Sequence, residues 1–308
     1  MDASQIHRAE LRHAAESGDI AAMAALGRHL LVAPPTAALD GIKLTIEAAQ
    51  KGHADAAHLV SVFAACGAGL PQDWDAALEY LQHAAQFGSD RARAQLALLS
   101  GTNIKSLLAS PVPRMISQTP HIAIVEGLLA PALCDWLIER ARPHLKPAQV
   151  YSRDTDEGSL ERGRTNSAME FNIIETDLIV ALVREKIGNI MQFSTSAMEH
   201  TQILHYTPGQ QFSRHFDFLE PSHPAHARDI AARGQRVGTF LIYLSDDFEG
   251  GETEFPHLQW HHKGRKGDAI LFRNVERGGA PDRRTLHAGL PTARGEKWLL
   301  SQWIRGRA

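Results

Sequence analysis

The stretch TQILHYTPGQQFSRHFDF, residues 201–218, decides the fold. Two runs rich in β-branched and aromatic residues, 201–207 and 212–218, flank the turn-forming pair Pro208-Gly209, which reads as strand, turn, strand. Working outward, the strand candidates continue at 237–244, 268–273, 284–288 and 297–304, with Gly and Pro between them. Short strands punctuated by turn residues predict an antiparallel sandwich or barrel. Two amphipathic helices precede them. Leu133, Trp136, Leu137 and Ala141 mark one face, entered at Pro131. Leu178, Leu182, Val183, Ile187, Ile190 and Met191 mark the other, with Thr176 as its expected N-cap.

The N-terminal hundred residues have another texture. Ala14-Ala15-Glu16-Ser17-Gly18, Ala48-Ala49-Gln50-Lys51-Gly52 and Ala84-Ala85-Gln86-Phe87-Gly88 repeat one pattern, with glycines 34 and then 36 residues apart. Alanine-rich helices closed by a left-handed glycine, at a period in the mid-thirties, are the mark of a helical solenoid. The segment from Gly67 to Leu78 resembles the Sel1-like variety of tetratricopeptide repeat, although the unit around Pro34-Pro35 departs from its Gly-rich loop. An irregular alanine-rich bundle is the alternative. Pro111, Pro113 and Pro120 lie in a stretch that reads as a linker. The expected organisation is a helical repeat domain over 1–105, a linker over 106–120 and a β-rich domain over 121–308, an α+β chain.

Composition narrows the function classes. Hydrophobic residues make up 44% and charged residues 22% of 308, ordinary for a globular protein. A net charge of -3 gives no electrostatic case for nucleic acid or an anionic membrane. The two cysteines, Cys66 and Cys134, form neither a disulfide framework nor a CxxC metal site. The first residues lack the apolar core of a signal peptide, and no apolar run approaches the roughly 20 residues of a membrane span. A reducing cytoplasm is the expected compartment.

The chemistry centres on His215-Phe216-Asp217. Residues i and i+2 of a strand share a face, so an imidazole and a carboxylate can reach one ion while Phe216 points away. HxD pairs alone are common by chance. His287 supplies a third ligand from another strand. Two histidines and one carboxylate leave open positions that suit ferrous iron; a zinc hydrolase is the alternative from another class. Lys297 follows His287 by ten residues across a Pro291…Gly295 turn, which would bring it on the neighbouring strand into the same barrel. A buried ammonium needs an anion, and a dicarboxylic oxo acid supplies one. The pairs His261-His262 and His223/His226 fall in polar loop sequence and read as surface rather than as a second metal site.

From about residue 120 onward the chain resembles the prolyl 4-hydroxylase group of iron(II)- and 2-oxoglutarate-dependent dioxygenases. The carrying stretches are Gln202–Gln210, His215-Phe216-Asp217, Gly250-Gly251-Glu252-Thr253, Gly267-Asp268-Ala269, Leu286-His287 and Gly295-Glu296-Lys297-Trp298. The resemblance implies a double-stranded β-helix, a cupin-like jelly roll. It implies iron on His215, Asp217 and His287, and 2-oxoglutarate held through its distal carboxylate by Tyr206, Thr253 and Lys297. Dioxygen is then consumed, ascorbate is the expected reductant, and 2-oxoglutarate is converted to succinate and CO2 as a C–H bond is hydroxylated. No side chain beyond the metal ligands need act as a catalytic base. The expected target is a prolyl-like residue in a peptide or protein, as for procollagen-proline 4-dioxygenases; a free amino or imino acid is the alternative. Trp303 shares strand parity with Lys297, Leu299 and Ser301, and resembles the family's tryptophan beside the target ring. Arg164-Thr165-Asn166 resembles the segment next to the family's substrate loop, and Glu199 and Arg236 resemble positions near the peptide. Phe212 departs from the family, which commonly has Tyr there. Residues 219–236 read as a lid or an inert insertion, and the solenoid as a docking module for a protein partner.

Overall fold

The computed structural model describes residues 3–33, 35–148, 150–151, 158–159 and 163–306. The chain divides into two compact units, Met1–Ala109 with Phe171–Val183, and Ser110–Glu170 with Arg184–Ala308. The first unit carries α1 (Ala3–Glu16), α2 (Ile20–Leu31), α3 (Pro35–Gln50), α4 (Ala54–Cys66), α5 (Trp74–Gln86), α6 (Asp90–Leu99) and α7 (Ile104–Leu108). The repeated glycines do what their spacing predicts: Gly18, Gly52 and Gly88 take φ of 95°, 91° and 106° between α1 and α2, α3 and α4, and α5 and α6. Only glycine adopts this backbone without strain. The residue after each glycine caps the next helix: Asp19, His53 and Ser89 accept from the backbone N–H of Ala22, Ala56 and Ala92. Helices α2 and α3 cross closely, because a Cβ on Gly27 would lie 2.6 Å from Thr45 Oγ1.

Helix α9 (Leu178–Met191) is capped by Asp177, not Thr176: Asp177 Oδ1 accepts from Val180 N–H, while the Thr176 hydroxyl donates to the Asn172 carbonyl. Asp177 is also paired with Arg91 at 3.3 Å. The buried Gln95 accepts from the Leu178 N–H and touches the His58 ring through its amide nitrogen.

The second unit holds the strands. They are β1 (Arg114–Gln118), β2 (His121–Val125), β3 (Lys146–Pro147), β4 (Val150–Tyr151), β5 (Gly158–Ser159), β6 (Ser167–Phe171), β7 (Thr201–Tyr206), β8 (Phe212–His215), β9 (Arg236–Tyr243), β10 (Glu249–Gly250), β11 (Thr253–Phe255), β12 (Trp260–His262), β13 (Ala269–Arg273), β14 (His287–Gly289), β15 (Thr292–Arg294) and β16 (Lys297–Arg305). An eight-stranded sheet runs β1-β2-β13-β9-β16-β7-β6-β3 and a four-stranded one β12-β11-β14-β8, with neighbouring strands antiparallel. The two sheets face each other: Phe255 of β11 meets Phe272 of β13 edge-to-face at 5.2 Å, within a core that includes Ile122, Leu204, Leu241 and Leu299. Each such buried side chain contributes roughly 1.5–3 kcal/mol by leaving water. This is the expected jelly-roll arrangement. Helix α8 (Pro131–Ala141) starts at the expected proline.

Three further expectations change. The stretch read as linker, 106–120, contains β1, an edge strand paired with β2; Pro111 and Pro113 precede the paired residues and Pro120 sits in the turn between the strands. Strand β8 ends at His215, so Asp217 lies just past the strand. Lys297 does not sit beside His287: β14 belongs to the small sheet and β16 to the middle of the large one, with β15 between them paired to β10. The segment 219–236 carries α10 (Pro224–Arg233). Residues 152–157 and 160–162, where the family's substrate loop before Arg164 would fall, lie outside the described residues. Among the described residues no helix is long and apolar enough to cross a membrane.

Candidate metal and oxo-acid site

His215 and His287 are direct partners across β8 and β14, which brings their side chains together on one face. Their ring centroids are 4.2 Å apart. Asp217 completes the cluster, with Oδ1 3.5 Å from His215 Nε2 and Oδ2 3.6 Å from His287 Nε2. Among the described residues this is the sole group of three His, Cys, Asp or Glu able to hold a metal ion. His261, His262, His223 and His226 form no such group.

Outer hydrogen bonds orient all three. His215 Nδ1–H donates to the Ser213 carbonyl at 2.7 Å and His287 Nδ1–H to that of Thr285 at 3.0 Å. Each imidazole therefore presents its Nε2 lone pair to the cluster. The Thr239 hydroxyl donates to Asp217 Oδ2 at 2.7 Å. Burial, then the neighbouring His215, lowers His287 to about 4, so it is neutral, as a ligand must be. Burial alone would raise the Asp217 carboxyl, but His287 and His215 when protonated, together with the Thr239 bond, pull it below the usual carboxylate range.

The cluster opens on a cleft of about 420 Å³, counting the space open to solvent, whose opposite wall is β16. Lys297, Leu299, Ser301 and Trp303 all line it, as their shared parity predicts. Lys297 is 1% exposed, and its ammonium has no hydrogen-bond partner among the described residues. Burial lowers it to about 7 against the raising charge of Glu252. Tyr206 is its register partner on β7, with the ring centroid 4.9 Å from Nζ and a hydroxyl pushed up to about 12 by burial. Thr253 lines the same end. Its Oγ1 is 2.9 Å from the Tyr243 hydroxyl, which also lies 2.9 Å from the His262 carbonyl. A Cβ on Gly289 would lie 3.5 Å from Lys297 Nζ, so the glycine keeps that end roomy. A buried ammonium with no hydrogen-bond partner among the described residues, beside a cluster of three metal-binding groups, fits a metal-chelating dicarboxylate.

The expected substrate residues divide. Arg164 and Trp303 line the cavity; Glu199 and Arg236 do not. Arg236 instead lies 3.6 Å over the Trp303 ring and binds Glu199 through both carboxylate oxygens, at 2.7 and 2.9 Å. Arg305, which sequence reading did not single out, reaches Glu199 at 2.5 Å and Asp229 of α10 at 2.9 Å. Phe212 stacks on His215 at 3.5 Å, with the Arg164 guanidinium 4.7 Å from its ring. Also missed were Leu204 and Leu241 in the cavity wall, and Tyr243 and Thr239 behind it. The leucines carry no signal beyond strand alternation, and the two hydroxyls none at all.

A double-sheet barrel with two histidines, one carboxylate and an orphan lysine defines the iron- and oxo-acid-dependent oxygenase class. The 2OG-Fe(II) oxygenase superfamily model matches residues 201–305. Prolyl 4-hydroxylase 1 of Arabidopsis thaliana is 31% identical over 243 residues, covering 74% of this chain and 81% of that protein. Probable prolyl 4-hydroxylase 6 of the same plant is 34% identical, covering 68% and 79%. A viral collagen prolyl hydroxylase from Paramecium Bursaria Chlorella virus-1, solved with 2-oxoglutarate, aligns with TM-score 0.47 and 27% identity, over 59% of this chain and 94% of that one. A Sel1 repeat protein from Oxalobacter formigenes aligns with TM-score 0.30 and 28% identity, over 32% and 41%. The chain belongs to the prolyl 4-hydroxylase family of iron(II)- and 2-oxoglutarate-dependent dioxygenases. It is thus an enzyme that uses Fe(2+), 2-oxoglutarate and O2.

Proposed function

We propose that the protein hydroxylates a prolyl residue within a peptide or protein, with iron(II) on His215, Asp217 and His287. Lys297, aided by Tyr206 and Thr253, takes the distal carboxylate of 2-oxoglutarate. The observation that carries this reading is the buried ammonium, without a hydrogen-bond partner among the described residues, that shares one cavity with the His215, Asp217 and His287 cluster. Held there, iron and 2-oxoglutarate would activate dioxygen, one oxygen atom going to succinate as CO2 leaves and the other to the C–H bond, which becomes an alcohol. The chain's own groups position and shield. Both imidazoles are held in the tautomer that binds metal. Leu204, Leu241 and Leu299 make the wall apolar and limit water. Trp303, pinned by Arg236, offers a flat face to a pyrrolidine ring. Arg164 supplies a cation near the same wall for a peptide carbonyl.

Ascorbate is the proposed reductant, and a reducing cytoplasm the proposed compartment. The helical repeats are the proposed docking surface for the protein that carries the target, since stacked helical repeats commonly form binding faces. Incubation with iron(II), 2-oxoglutarate, ascorbate and proline-containing peptides, read by mass spectrometry, should give a one-oxygen gain matched by succinate. Oxygen gain on free imino acids with none on any peptide would reject the peptide assignment.

A further inference from the structure

Thr239 lies on β9 and Asn274 just past β13, and both are fully buried. Asn274 Nδ2 is 2.9 Å from Thr239 Oγ1, which is 2.7 Å from Asp217 Oδ2. Chemistry fixes the proton directions. An ionised carboxylate only accepts, so the single hydroxyl proton of Thr239 goes to Asp217. The hydroxyl oxygen must then accept, which forces the Asn274 amide to turn its NH2 toward Thr239. The amide oxygen is left buried with no donor among the described residues. Such an unsatisfied group is costly, and its retention marks the NH2 end as the one that is needed.

Asp217 has two ways to bind an ion, because one oxygen faces each imidazole. Through one oxygen, the carboxylate and two imidazoles take three octahedral positions and leave three; through both, they leave two. A chelating oxo acid and dioxygen together need three. We infer that the Asn274–Thr239 relay is a positioning device that occupies Asp217 Oδ2 and restricts metal binding to Oδ1, keeping the third open position. The inference rests on the metal assignment proposed above.

The test uses the full chain and cobalt(II) in place of iron. Wild type, Thr239→Val, Thr239→Ser, Asn274→Leu and the Thr239→Val/Asn274→Leu double variant are titrated anaerobically. The readouts are the dissociation constant and the visible cobalt band, whose intensity reports coordination geometry. Turnover with iron is measured in parallel. Thr239→Val is expected to weaken cobalt about tenfold, the scale seen when partners of metal ligands are removed, and to change the band. It should lower kcat more than it raises KM for 2-oxoglutarate. Thr239→Ser keeps the hydroxyl and should return affinity to within about twofold of wild type. Asn274→Leu should show a smaller loss that disappears in the Thr239→Val background. Wild-type affinity and band in Thr239→Val overturn the inference. So does a serine variant that fails as valine does, or an Asn274 effect that simply adds. A wild-type protein that binds no cobalt overturns the metal assignment itself, and the relay with it.

Discussion

Lys297→Met removes a buried charge while keeping most of the side chain's length. Burial lowers the ammonium from 10.5 to about 7. At about 1.4 kcal/mol per pH unit, that burdens the ligand-free fold by roughly 5 kcal/mol. The sign follows from the two states: unfolded lysine keeps its proton up to 10.5, folded lysine only to about 7. The penalty is full below pH 7 and fades as pH rises toward 10.5. Methionine carries no such penalty. At pH 6.5 the ligand-free variant should therefore be more stable than wild type by about 2–5 kcal/mol, the lower end allowing for relaxation and water entry. 2-Oxoglutarate narrows the difference, since at a hundredfold excess over its dissociation constant it adds about 2.7 kcal/mol to a protein that binds it. Wild type should gain this and the variant little. The assay is urea unfolding with manganese(II) in place of iron, with and without 2-oxoglutarate, followed by tryptophan fluorescence. Four of the five tryptophans, Trp136, Trp260, Trp298 and Trp303, lie in the second unit, so the signal reports the site's own fold. A variant less stable than wild type without ligand, or one that gains as much from 2-oxoglutarate, refutes the reasoning.

The same lysine sets a pH dependence. Deprotonation of free Lys297 above about 7 should raise KM for 2-oxoglutarate by up to about tenfold per pH unit, and a flat profile from pH 6.5 to 8.5 would count against the carboxylate role. Gly289→Ala places a methyl 3.5 Å from Lys297 Nζ, an ordinary contact that the fold accepts. It should raise the same KM about tenfold by filling the space for the carboxylate, as steady-state succinate release would reveal. His215→Ala and Asp217→Ala should each lose bound iron and turnover by metal analysis and peptide assay; turnover with iron retained would dismiss the triad. Trp303→Ala should raise KM for peptide at least tenfold while leaving peptide-free succinate formation unchanged, and equal loss of both would assign Trp303 to the core alone.

What could be read in the sequence was set by local periodicity. The repeat glycines announce themselves because left-handed turns admit little else, and the structure places them at φ near 90–106°. The face-sharing of Lys297, Leu299, Ser301 and Trp303 follows from strand alternation and needs no tertiary knowledge. Sheet membership is different. Ten residues separate His287 from Lys297, and the interval suits a hairpin as well as a crossing between sheets; β15, paired to β10, makes it the crossing. Thr176 and Asp177 are both good caps by type, and the cap fell to Asp177, which Arg91 also holds. Glu199 and Arg236 looked like substrate contacts, yet each found the other, and Arg305 closed the group. Thr239 and Asn274 sit on different strands with no shared motif, so only the folded sheet brings them to Asp217.

The central claim is that one iron and one oxo acid meet at His215, Asp217, His287 and Lys297. Anaerobic addition of iron(II) to protein saturated with 2-oxoglutarate tests it directly, since iron chelated by an oxo acid absorbs visible light. The account predicts a band that saturates at one iron per chain, is absent in Asp217→Ala and is displaced to much higher 2-oxoglutarate concentration in Lys297→Met. No band in the wild-type protein, or one that Asp217→Ala leaves unchanged, would contradict it.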